Sequence, residues 1–225
     1  MISKRTIRDL TDAEVRGKRA LVRVDFNVPL DESGTVSDDT RIRAALPTIE
    51  ALAGRGSRVV LLSHLGRPKG GKHEPKYSLA PVAKRLGELT SRPVRFVAAL
   101  DSDDAVTATR ELKDGEILLL ENTRFNAGEE KNDDALAKGL ARLGDLYVND
   151  AFGAAHRAHS STAGVAKYLH PAVAGLLNGG TPIFAATFAA LIYHQRPSRA
   201  VLAGIGTGLV GVILISVPSI GEGSS

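Results

Sequence analysis

The chain has 225 residues, 43% of them apolar and 24% charged, with a formal net charge of +4; it can build a core, and its positive excess is too small to argue for nucleic acid. Aromatic residues make up only 4%, which leaves few stacking platforms for single strands. With no cysteine in the sequence, disulfides, thiolate metal sites and thiol nucleophiles are excluded, and a reducing compartment fits.

The N-terminal stretch MISKRTIRDLTDAEVRGKR is polar and has no apolar signal core, so a cytoplasmic location is expected. Ala20–Val24, Arg58–Leu62, Val94–Val97, Ile117–Leu120 and Leu146–Val148 are short apolar runs, most of them rich in Val, Ile and Leu. Such runs predict parallel strands buried on both faces. Amphipathic stretches lie between them. Asp39-Thr40 predicts a cap for a helix through Ile42, Leu46, Ile49 and Leu52, ended by Gly54 or Gly56. Ser78 predicts a cap for a helix carrying Leu79, Val82, Leu86 and Leu89. Asp133 predicts the start of one through Leu136, Leu140 and Leu143, ended by Gly144. Strand and helix in alternation predict an α/β fold, a doubly wound parallel sheet with right-handed crossovers. The composition then changes. Residues 178–225 keep only Arg196, Arg199 and Glu222 of the chain's 29 Lys plus Arg and 25 Asp plus Glu. We therefore expect a seam near 177, with a domain over 1–177 and an apolar tail over 178–225. The tail holds two apolar runs, 183–193 and 200–217, around the polar HQRPSR. It predicts a helical hairpin, either packed on the soluble domain or, given its glycines and length, associated with a membrane.

In a doubly wound sheet the ligand sits beyond the carboxyl ends of the strands, and the unusual polar segments begin there. RVDFNVP follows the first strand, SHLGRPKG the second, ENTRF the fourth and NDAFGAAHRAHS the fifth. Arg23, Arg41, Arg67, Arg124 and Arg157 are expected to face one cleft. Five guanidinium groups would repel one another unless an anion joined them, and their paired donors match phosphate and carboxylate. Asp25 and Asn27 can hold a hydroxyl between two charged ends, and His64 is a donor that can add positive charge. Taken alone, each of these residues reads as a solvated surface group or a loop cap. Together they predict an anion site suited to a small phosphorylated hydroxy-acid. The segment Gly66–His73 nearly spells a nucleotide phosphate loop, but His73 stands where a Ser or Thr would hold magnesium, and Pro75 follows where a helix should start. It reads as a basic surface loop.

Five segments, RVDFNVPL, DDTRIRAALPTI, VVLLSHLGRPKG, LLLENTRFNAGEEKND and YVNDAFGAAHRAHSSTAGVA, occur in an order and spacing that resemble the phosphoglycerate kinase family over residues 3–177. The resemblance implies the Rossmann-like N-terminal domain of that two-domain enzyme. It implies 3-phosphoglycerate or 1,3-bisphosphoglycerate as ligand, with phosphoryl exchange against MgADP or MgATP. Under it, Asp25 and Asn27 contact the glycerate, and His64, Arg67, Arg124 and Arg157 bind the anionic groups. Arg23 supports Asp25 or the carboxyl end. Arg41 resembles the catalytic arginine that neutralises charge on the group in flight, and His156 and His159 are structural. The family's nucleotide lysines, glycine-rich loop and magnesium carboxylate have no counterpart in these residues. No cofactor-binding or metal residue is therefore expected in this chain, and negligible turnover is. The stretch TPIFAATFAALIYHQRPSRAVLAGIGTGLVGVILI is similar to the final helix pair of EamA-type drug/metabolite transporters. A monomer is expected, and the readings to be separated are a kinase fragment, a non-catalytic phosphoglycerate-binding module and a membrane-tethered fusion.

Overall fold

The computed structural model of the chain describes residues 6–69, 71–151, 158–169 and, as backbone, 171–174. A short helix α1 (Asp12–Val15) precedes β1 (Arg19–Val24). There follow α2 (Thr40–Gly54), β2 (Arg58–Leu62), α3 (Ala80–Leu89), β3 (Val94–Val97), α4 (Asp103–Glu111), β4 (Ile117–Leu120), α5 (Asp134–Ala141), β5 (Leu146–Asp150) and β6 (Pro171–Ala174). The strands form one parallel sheet in the order β3-β4-β2-β1-β5-β6.

The pleat explains why the strands read as unbroken apolar runs. Alternate residues serve two separate cores. Ala20, Val22, Val59, Leu61, Ile117 and Leu119 pack with Ile42, Ile49 and Leu52 of α2 and Val82 and Leu86 of α3. Leu21, Val60, Leu62, Leu118 and Leu120 pack with Ala105 and Val106 of α4 and Leu136 and Leu140 of α5. The helices change face when the chain turns back from the edge strand β3. This leaves the carboxyl ends of β1, β2 and β4 side by side at the centre of the sheet.

The five expected strands are present, and β1 and β5 are longer than expected. Asp133 caps α5 through Oδ1, which accepts from Leu136 N at 2.9 Å. Ser78 shares the expected capping: its Oγ accepts from Ala80 N, the first amide of α3, at 3.2 Å. The start of α3 is held by Glu121, at the end of β4, whose carboxylate accepts from Leu79 N at 2.9 Å and Ser78 Oγ at 2.8 Å. A buried carboxylate offers the orphan amides of a helix start a stronger acceptor than a hydroxyl does. Three elements were not anticipated, the short helix α1, α4 and the edge strand β6. The tail 178–225 expected as a helical hairpin lies outside the described residues. Among the described residues, no helix is long and apolar enough to cross a membrane.

Candidate anion site at the carboxyl edge of the sheet

β1 runs out into Asp25-Phe26-Asn27, and Phe26 anchors this turn. Its ring is buried, and its amide donates to Ser63 Oγ at 2.9 Å, just beyond β2. The anchor leaves the side chains of Asp25 and Asn27 partly exposed on either side. Asp25 Oδ1 accepts from Asn27 N at 3.2 Å, and its Oδ2 pairs with Arg41 Nη1 at 2.6 Å. Arg41 lies in the first turn of α2, which starts at this edge because a crossover helix runs back antiparallel to its strand.

Gly66 joins the segments after β1, β2 and β4. Its amide donates to Asn27 Oδ1 at 2.8 Å, and its carbonyl accepts from Arg124 Nη1 at 2.7 Å. Only glycine suits the position. Its φ is +61°, and an added Cβ would meet the Tyr77 ring at 2.4 Å. Arg124 sits on a single 3-10 turn, Thr123–Phe125, that opens with Asn122 Oδ1 accepting from Arg124 N at 3.0 Å. Asn122 also ties this turn down by donating from Nδ2 to Leu65 O at 2.7 Å and Tyr77 O at 2.9 Å. The Arg124 guanidinium is largely buried. Nη2 pairs with the exposed Glu130 at 3.0 Å, while the buried Nε has no hydrogen-bond partner. Arg67 is exposed and makes no hydrogen bond or ion pair with the described residues.

Arg23 departs from the expectation of five arginines facing one cleft. It is 1% exposed. On β1 it shares a face with Leu21, so the pleat carries it into the α4–α5 core. There Nε donates to Ser161 Oγ at 2.9 Å, Nη1 donates to Val24 O, and Nη2 lies 3.1 Å from His64 Nδ1. Burial pushes the guanidinium below its ordinary value, and Glu129, itself fully buried, opposes that shift. Arg23 therefore braces the site from beneath. His64 is correspondingly not placed as a simple added cation. A guanidinium has only donors, so His64 Nδ1 accepts and the ring proton belongs on Nε2.

Asp150, the last residue of β5, has its carboxyl pushed up by burial and held back in part by a hydrogen bond with Thr48. His159 is pushed down by burial, against the pull of Glu129. Arg157 and His156 lie outside the described residues. Among the described residues, no group of three or more His, Asp or Glu side chains is placed to hold a metal ion. The glycine-rich loop from Gly66 leads to a 3-10 turn at Pro75–Tyr77, and α3 begins only at Ala80. Its amides are thus not presented at a helix start as a nucleotide phosphate loop requires. Asp25, Asn27, Arg41, His64 and Arg124 are thus joined by contacts at one edge. Gly66, Asn122, Glu129 and Ser161 support them and were not singled out from the sequence. Gly66 and Asn122 lie within the strand-end segments SHLGRPKG and ENTRF, a signal that could have found them, whereas Glu129 and Ser161 lie outside those segments and carried none.

The family model described as phosphoglycerate kinase matches residues 10–206. The phosphoglycerate kinase of Gloeobacter violaceus is 60% identical over 176 residues, covering 78% of this chain and 43% of the relative. That of Synechococcus elongatus is 54% identical over 208 residues, covering 90% of this chain and 50% of the relative. The structure of phosphoglycerate kinase from Coxiella burnetii aligns with a TM-score of 0.61 at 41% identity, over 79% of this chain and 41% of that one. The enzyme from Pyrococcus horikoshii aligns with a TM-score of 0.65 at 32% identity, over 82% and 45%. The chain spans about half the length of the curated relatives it matches, and the family match runs past the seam expected at 177.

Proposed function

The chain belongs to the phosphoglycerate kinase family, and from that premise we propose that these residues form its phosphoglycerate-binding half, taking 3-phosphoglycerate or 1,3-bisphosphoglycerate at the carboxyl edge of the sheet. The observation that supports this most is the joining of three strand ends through Gly66. That contact holds Asn27 beside Asp25 and Arg41 on one side and Arg124 on the other. An anion in this position gains charge-assisted hydrogen bonds.

In this reading Asp25 and Asn27 hold the hydroxyl end of the acid. Asn27 Oδ1 is taken by Gly66, so the amide presents its Nδ2 donors. His64, Arg67, Arg124 and Arg157 hold the anionic groups. Arg41 exchanges Asp25 for the transferring group and is the catalytic residue. Phosphoryl transfer needs no protein nucleophile, only positioning and neutralisation of spread charge. Arg23 acts by bracing His64. The family's MgADP or MgATP supplies the other phosphoryl partner. The residues described do not fit that group, for lack of a metal-ligating cluster and of a phosphate loop at a helix start, so no step is routed through it. We accordingly propose that these 225 residues alone bind the acid and turn over negligibly, as a monomer in the cytoplasm and without nucleic acid.

For residues 178–225, the two apolar runs and the likeness to the last helix pair of EamA-type transporters support a hairpin able to meet a membrane. The family match through residue 206 favours a second reading, in which the first run belongs to the kinase fold. Isothermal titration of the 225-residue chain tests the main proposal. 3-Phosphoglycerate should bind and MgADP should not. Heat from MgADP without heat from 3-phosphoglycerate would refute it.

A further inference from the structure

We propose that Glu129 is a positioning residue for His64, acting through Ser161 and Arg23, and that this relay holds the His64 ring as the neutral tautomer with its proton on Nε2. The relay stands on geometry. Its consequence for affinity rests on the phosphoglycerate-binding reading above.

The relay begins with the pleat of β1. Arg23 shares the face of Leu21, so its cation is carried into an apolar core and needs a compensating charge there. Glu129 provides it through an intermediary. Ser161, in the π-turn Ser160–Gly164, stands between the two. Its amide donates to Glu129 Oε2 at 2.9 Å, its hydroxyl donates to Glu129 Oε1, and its hydroxyl oxygen accepts from Arg23 Nε at 2.9 Å. The direction of each bond is forced. Arg23 can only donate, so the Ser161 oxygen accepts from it, and the hydroxyl proton goes to Glu129, whose two oxygens accept from the Ser161 hydroxyl and amide.

The far end is forced in the same way. Arg23 Nη1 donates to Val24 O, and Nη2 meets His64 Nδ1 at 3.1 Å. A proton on Nδ1 would set two donors against each other, so Nδ1 keeps its lone pair and Nε2 carries the hydrogen. Glu129 also holds the π-turn by its main chain, accepting from Ser160 N at 3.0 Å. A Glu129 that served only this turn would leave the His64 tautomer unbiased, and that difference can be measured.

The test is nitrogen-15 NMR of the full 225-residue chain with labelled histidine, the His64 signals being assigned by His64→Gln. In the unmodified chain near neutral pH, His64 should show the Nε2–H tautomer. Ser161→Ala removes the bridging hydroxyl and should move both ring nitrogens toward the average of the two tautomers. It should also weaken 3-phosphoglycerate binding about tenfold, the worth of one charge-assisted hydrogen bond. Glu129→Gln keeps the shape, removes the charge and should move the signals in the same direction. A His64 that carries a proton on Nδ1 in the unmodified chain overturns the relay without recourse to any variant. So does a His64 spectrum unchanged in either folded variant. If the spectrum responds while the unmodified chain binds no 3-phosphoglycerate, the relay stands and the ligand assignment falls. If the unmodified chain binds 3-phosphoglycerate with a spectrum indifferent to Ser161, the ligand assignment stands and the relay falls.

Discussion

Arg41→Ala takes one guanidinium from the mouth of the anion site and leaves Asp25 without its partner. The structure separates the consequence for folding from the consequence for binding. Arg41 and Asp25 make a single contact of 2.6 Å, and their side chains are 52% and 22% exposed. An ion pair in such a setting contributes about 0–1 kcal/mol to stability, and truncating a half-exposed side chain leaves no buried cavity. The urea midpoint should therefore shift by less than the equivalent of about 1 kcal/mol, with the slope unchanged. Binding should respond more. A charge-assisted hydrogen bond to a ligand is worth about 1.5–3 kcal/mol, which weakens 3-phosphoglycerate by roughly 10- to 150-fold. Asp25, once unpaired, adds repulsion toward an anion. Asp25→Asn in the Arg41→Ala background should recover part of the loss by removing that repulsion, whereas a purely steric defect would not be recovered. Urea titration and isothermal calorimetry on the same preparations read the two effects. A stability loss above about 2 kcal/mol with unchanged affinity would show that Arg41 is a structural residue and refute its assigned role.

Gly66→Ala should damage the site more than an exposed glycine elsewhere would. The new methyl meets the Tyr77 ring at 2.4 Å from a backbone of φ +61°, costing about 1–3 kcal/mol in stability and lowering affinity for the acid; wild-type stability and binding in the variant would contradict the joining role of Gly66. Acid should weaken the pairing of β1 with β5. Burial acts to raise the Asp145 carboxyl, yet the side chain and amide of Arg19 hold it below its ordinary value of 3.8. The folded value thus lies below the unfolded one, and the contribution is complete above about pH 4 and lost as pH falls through the folded value. Urea midpoints of the unmodified chain and Asp145→Asn should converge between pH 5 and roughly pH 3, and parallel curves would contradict the assignment.

The central sheet was legible because its strands are apolar on both faces, and Asp133 marked a helix start through its side chain; α2 starts at Thr40 as expected, but the Asp39 carboxylate pairs with Arg43 and Arg85 and caps no amide of that helix. α4 escaped because Ala105, Ala108 and Thr109 bury small side chains that give a weak apolar stripe. β6 escaped because four residues opening with proline give no period, and its pairing with β5 shifts register at Tyr147/Val148. At the site, Asp25, Asn27, Arg41, His64 and Arg124 were legible as polar groups at strand ends. Arg23 was misjudged as a cation facing the cleft, although the period of two from Leu21 already pointed it inward. The Glu129–Ser161 support was not legible, since it depends on a turn that returns to the sheet 32 residues later.

The most direct measurement is a crystal structure of the 225-residue chain soaked with 3-phosphoglycerate. The account predicts ligand oxygens within hydrogen-bond distance of Arg41 and Arg124 and a hydroxyl beside Asp25 and Asn27. Electron density for the acid on any other face, with the Asp25–Arg41 pair intact, would contradict it.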